Sequence, residues 1–155
     1  MTLCPLRNPA IIAREWKHKE NAMHLIVCID DCDGMSFCGR RQSRDSEVFA
    51  HMLCIADGVK LWMSAYSAPF FAGTDVAVDE DFQRKAGAGE YCFVETDPLL
   101  PTYENLESVV LYHWNRTYPS TMKFPRSLLD GMHLECTEEF TGRSHERITM
   151  ERFTR

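Results

Sequence analysis

Three arginines stand close together in Gly39-Arg-Arg-Gln-Ser-Arg44, namely Arg40, Arg41 and Arg44. A guanidinium keeps its charge at any ordinary pH and presents a planar fork of donors that matches phosphate or carboxylate. The chemistry these residues offer is therefore anion recognition. The plainer reading is a solvated basic loop that balances Asp30, Asp31 and Asp33. His113 and His145 are candidate acid–base groups, because imidazole titrates near neutrality. A structural or exposed histidine is the commoner fate of such residues. Ser144-His145-Glu146 sets serine, histidine and carboxylate side by side, but a triad needs groups converging from separate elements. Chain neighbours point in different directions, and no Gly-x-Ser-x-Gly elbow occurs. Trp62 and Tyr66 flank a predicted strand end, where an aromatic ring can stack on a base; core packing is the plainer role for Trp62. Trp114 and Arg116 alternate along a predicted strand and would share one face.

Composition narrows the classes. The chain has 155 residues, 45% hydrophobic and 26% charged, the profile of one folded domain. A net charge of −6 disfavours broad nucleic-acid binding, which depends on cations neutralising phosphates. The cysteines number seven, and Cys28, Cys54 and Cys92 sit in apolar segments, as reduced, buried thiols do. No Cys-x-x-Cys exists, the spacings of Cys28, Cys32 and Cys38 fit no compact zinc pattern, and His51-x-x-Cys54 has no second pair; no metal is expected. Apolar runs such as 25–29 are too short to span a bilayer, and the first residues lack a secretory pattern. A cytoplasmic location is expected.

These groups need elements to position them. Residues 1–22, polar and punctuated by Pro5 and Pro9, read as an extension outside a domain of residues 23–155. The continuous run at 25–29 predicts a strand buried on both faces, and Asp30–Gly34 a turn. Ser43 or Asp45 can cap a helix running to Ala56, with Asp57-Gly58 as its stop. Strands are predicted at 59–63, 76–78, 90–95, 109–117, 134–140 and 147–153. A helical turn is expected near Pro69, a short helix from Asp79 to Ala86, and one turn within 97–107. Alternating helices and strands followed by consecutive strands give a single-domain α/β fold, a mixed β-sheet flanked by helices.

The order of elements resembles dihydrofolate reductase. The buried opening strand with its acidic turn, Ile26–Gly34, is similar to the family's start. Leu111-Tyr-His-Trp114 followed by Phe124-Pro125 resembles the family's Leu-Tyr-Leu-Thr strand and later Phe-Pro. Ser144-His145 followed by Met150-Glu-Arg-Phe-Thr-Arg155 resembles its closing strand. Each piece is short, and the ordered series carries the likeness.

The working parts depart from that family. Its Ile-Gly-Gly, where backbone approaches the cofactor pyrophosphate, corresponds to Phe93-Val-Glu-Thr96, which puts Glu95 where phosphates would sit. Its Met-Gly-Arg-x-Thr corresponds to Met63-Ser-Ala-Tyr-Ser67, with no cation. The stretch between Phe71 and Asp79 is shortened. Its Leu-Pro-Trp falls on Arg41-Gln-Ser43, its acidic helix residue on Glu47 after a one-residue shift, and its supporting threonine on Trp114. The expectation is no NADPH, no folate reduction and no cofactor. The stretch Gly-Met-x-Phe-x-x-Arg-Arg-Gln-Ser is also similar to short bacterial proteins labelled ribonuclease Z. The His-x-His-x-Asp-His cluster that a zinc ribonuclease of that type needs is absent.

The leading expectation is a binding protein for a small anionic or nucleotide-like ligand, with a site built from Arg40, Arg41, Arg44, Glu47, Trp62, Tyr66, Glu95 and Trp114. One alternative is a hydrolase or ribonuclease using His113 or His145 with Arg41 and Arg44, although RNA is not favoured by the net charge. The other is a protein-interaction module that exposes a sheet edge.

Overall fold

The computed structural model describes residues 23–155, so the expected extension over 1–22 lies outside the described residues. Strand β1 (Met23–Ile29) is buried at all seven positions. That is the behaviour of a central strand with both faces covered, where burial of each large aliphatic side chain contributes about 1.5–3 kcal/mol. It pairs in parallel with β6 (Tyr91–Val94) on one side and with β7 (Leu106–His113) on the other.

Beyond β6 lie β4 (Leu61–Met63) and β5 (Ala77–Val78), also parallel. Beyond β7 lie β10 (Ile148–Thr154) and β9 (His133–Phe140), both antiparallel to their neighbours. The order is β5-β4-β6-β1-β7-β10-β9, a seven-stranded mixed sheet. Three short strands, β2 (Gly34–Phe37), β3 (Arg40–Arg41) and β8 (Met122–Lys123), form a separate antiparallel sheet that no sequence pattern announced.

Helix α1 (Ser46–Ala56) follows β3 and covers one sheet face through Val48, Phe49, Met52 and Ile55. Asp45 is its N-cap, its carboxylate accepting from the Glu47 N–H, and Asp57 ends it in the left-handed region at φ 45°. The other face is covered by α2 (Phe82–Lys85), by the loop carrying Leu99 and Tyr103, and by a 3-10 turn, Arg126–Leu129, that brings Leu128 and Leu129.

Two expectations needed correction. No helical turn forms within 97–107; irregular chain runs there into β7, which starts at Leu106. The strand predicted over 109–117 ends at His113, because Asn115 takes φ 58° and turns the chain. Trp114 and Arg116 therefore do not share a strand face.

Candidate functional site

β1, β4, β6 and β7 are parallel, so Asp30, Tyr66, Ser67, Glu95 and Trp114 all follow the carboxyl ends of strands. Open α/β sheets place ligands at that edge. Asp30 anchors the loops there. Its buried carboxylate accepts from the Cys32 and Gly34 N–H groups at 2.9 and 2.7 Å, the Tyr118 N–H at 3.0 Å, and the Gln42 side chain at 3.3 Å. Burial opposes its charge, but these donors outweigh burial and hold its pKa below the ordinary value.

Arg41 reaches into this edge and is met by Glu95. Its Nε donates to Glu95 Oε2 at 3.0 Å and its terminal nitrogen to Oε1 at 2.8 Å, while Ser67 Oγ donates to the same Oε1 at 2.6 Å. The Arg41 guanidinium lies over the rings of Tyr66 and Phe70, 4.2 and 4.3 Å from their centroids. The Tyr66 hydroxyl also accepts the Arg41 N–H at 3.2 Å. Burial works against the guanidinium charge; the Glu95 carboxylate outweighs it and raises the Arg41 pKa. Beneath the pair, burial and then the Glu95 charge push the Cys28 thiol well up, so this cysteine is unreactive.

The three arginines therefore separate. Arg41 is neutralised inside the fold. Arg44 lies over the Phe70 ring at 5.2 Å, and Arg40 alternates away from Arg41 on β3. Both Arg40 and Arg44 are exposed, with no ion pair among the described residues. Glu47 sits in the first turn of α1, where its charge suits the helix dipole. Trp62 lies elsewhere. It packs with the cluster on the opposite sheet face, donates to Glu90 at 2.8 Å, and has Lys60 over its ring at 5.1 Å.

The two histidines lie on opposite faces. His113 sits on the α2 side with Glu151, 2.5 Å away. His145, in the β9–β10 loop, is buried and stacks on Trp114 with ring centroids 4.7 Å apart. Its Nδ1 lies 2.9 Å from Asp45 Oδ2, and its Nε2 lies 2.9 Å from Ser43 Oγ and 3.1 Å from the Tyr118 hydroxyl. Asp45 also accepts from the N–H groups of Glu47, Arg143 and Ser144. Burial would raise its pKa; the donors, led by Arg143 and His145, bring it down to about 2. Gly142 leaves room for that carboxylate, since a Cβ there would stand 2.5 Å from Asp45 Oδ2.

The sequence reading had Asp45 as a helix cap, had Ser43 as a cap and as the end of the stretch matching the family's Leu-Pro-Trp, and passed over Tyr118 and Gly142. The capping signal of Asp45 was present; its contact with His145, 100 positions away, had no local signature. Beside Trp114, a depression of about 420 Å³ is lined by Asn115, Arg116, Glu146 and Arg147. Among the described residues, no three His, Cys, Asp or Glu side chains converge as a metal site, and no helix is long and apolar enough to cross a membrane.

An open, mixed α/β sheet with its loops gathered at the strand ends defines the class. No protein-family model matches the sequence, and no curated protein sequence matches it. Among solved structures, the chain is similar to dihydrofolate reductase from Enterococcus faecalis complexed with NADP(H) and RAB-propyl. The TM-score is 0.59 at 8% identity, over 86% of this chain and 96% of that one. The fold is dihydrofolate reductase-like.

The sequence resemblance would set a dinucleotide pyrophosphate at the end of β6. There this chain holds the Glu95 carboxylate, with a side chain only 7% exposed, locked by Arg41 and Ser67. A phosphate brought to that position meets a buried carboxylate whose cation is already engaged, and glycine is absent from Phe93–Thr96. The residues present do not fit NADP(H).

Proposed function

We propose that this is a non-reductase, ligand-binding protein of the dihydrofolate reductase-like fold, taking a small anionic, nucleotide-like molecule at the strand ends. The observation that carries this reading is Arg44, an exposed cation over the Phe70 ring that it shares with Arg41, with no carboxylate partner among the described residues. Arg44 supplies the charge. Tyr66, 40% exposed, and Phe70 supply a stacking surface, and the Arg41–Glu95 pair stiffens the wall behind it. The solved neighbour is a complex with NADP(H), which supports a nucleotide-like ligand for this chain. The unbridged Cys32 and Cys38, both exposed, suit a reducing compartment such as the cytoplasm.

The test is a thermal-shift and calorimetric panel of nucleotides, NADPH, folates and short RNAs on the full chain. A ligand that binds only the folded state raises apparent stability, by about 2.7 kcal/mol at one hundred times its Kd. A shift with one or more nucleotides that Arg44→Ala weakens about tenfold is the expected result. No shift with any anion overturns the reading, and a shift with NADPH or folate overturns its non-reductase part.

A further inference from the structure

We propose that Ser43 is a nucleophile activated by His145 and oriented through Asp45, giving the protein an ester-hydrolase activity that goes beyond ligand binding and does not depend on it. The residues come from two places in the fold, Ser43 and Asp45 from the β3–α1 connection and His145 from the β9–β10 loop about a hundred positions on. Asp45, ionised and surrounded by backbone N–H donors, can only accept, so His145 Nδ1 carries the proton that lies between them. In the neutral ring Nε2 is then an acceptor, and it stands 2.9 Å from Ser43 Oγ. The Tyr118 hydroxyl donates to Ser43 Oγ at 3.2 Å and lies 3.1 Å from His145 Nε2, so it closes the hydrogen-bonded group that Ser43, His145 and Asp45 make. Trp114 stacked on His145 fixes the imidazole plane.

Ser43 is half-buried, and the next residue, Arg44, turns its guanidinium to the Phe70 ring, away from the His145 contact.

The step balances as acyl transfer. Ser43 Oγ attacks the carbonyl carbon of a carboxylic ester, its proton passes to His145 Nε2, and the carbonyl electron pair moves to oxygen. Collapse breaks the bond to the alcohol, which takes the proton from Nε2. Water repeats the sequence on the acyl-serine, releasing the acid and restoring Ser43.

The experiment treats the full chain with a fluorophosphonate probe, follows intact mass, and maps the modified peptide; p-nitrophenyl acetate hydrolysis is measured alongside. The expected result is one adduct per chain on Ser43, absent in Ser43→Ala, with hydrolysis falling about 100-fold or more in Ser43→Ala and His145→Gln. Ser43→Ala serves as the well-folded control, its melting temperature checked against wild type, because His145 is buried and its variant risks misfolding. No adduct on Ser43, or hydrolysis undiminished in Ser43→Ala, overturns the proposal. Loss of nucleotide binding in Arg44→Ala with intact Ser43 labelling separates this activity from the binding reading.

Discussion

Arg41 and Glu95, 54 positions apart, form a two-pronged ion pair at 3.0 and 2.8 Å that fills the edge of the sheet where the fold ordinarily takes its ligand. The pair converts an arginine that reads as an anion receptor into part of the wall. It leaves Arg44 as the neighbouring cation with charge to offer.

Glu95→Gln removes the negative charge and keeps the shape. The Arg41 side chain, 17% exposed, is left with a weaker partner, and the folded state loses about 2 kcal/mol in a urea titration. The same change relieves repulsion at the strand ends, so anion affinity measured by calorimetry rises about fivefold. An unchanged or weakened affinity removes Glu95 from the binding edge.

Asp45 makes the protein acid-sensitive in a defined window. Its pKa falls from 3.8 to about 2 on folding, so the unfolded chain binds the proton more tightly than the folded one. The stabilisation is complete above about pH 4 and is lost as pH falls through 2, amounting to about 2 kcal/mol. In Asp45→Ala that low-pH component of unfolding disappears, and stability at neutral pH drops by about 2 kcal/mol or more, through loss of the helix cap and of the acceptor for Arg143, Ser144 and His145. Denaturant titrations of both proteins at several pH values measure it.

Gly142→Ala tests the packing around the same carboxylate. The new methyl would meet Asp45 Oδ2 at 2.5 Å and the His145 carbonyl oxygen at 2.8 Å, both held by the surrounding fold. The expected cost is about 2 kcal/mol by chemical denaturation, together with reduced fluorophosphonate labelling of Ser43. Wild-type stability in this variant would mean that the loop carrying Gly142 yields freely.

His51 gives a second pH window, in the core. It is stacked on Phe140 with centroids 4.5 Å apart, and its Nδ1 lies 2.7 Å from the Tyr112 hydroxyl. Burial, with a smaller contribution from Arg152, lowers its pKa from 6.5 to about 4. The folded state resists a proton that the unfolded chain accepts, so stability is full above about pH 6.5 and falls by about 3 kcal/mol toward pH 4. His51→Gln flattens the stability profile between those values, as read from melting temperatures across the range.

Much of the frame was legible in the chain itself. The continuous apolar run of β1, the Asp45 cap and the Asp57-Gly58 stop of α1, and the alternation of helix and strand are local properties, set by side-chain type and spacing within a few residues. They were enough to indicate an α/β mixed sheet, and the resemblance of a few short ordered pieces, such as Leu111-Tyr-His-Trp114 with Phe124-Pro125, added the dihydrofolate reductase-like order. Strands β2, β3 and β8 escaped notice because two to four residues carry no period; they exist through pairing with one another and through Asp30, which collects donors from both loops. Only the tertiary structure decided that Arg41 is neutralised, that His113 and His145 occupy opposite faces, and that Ser43 and Asp45 meet His145 about a hundred positions on. Those outcomes depend on which loops the sheet order brings to one edge, and electrostatic partners at such separations leave no pattern in the sequence that precedes their meeting.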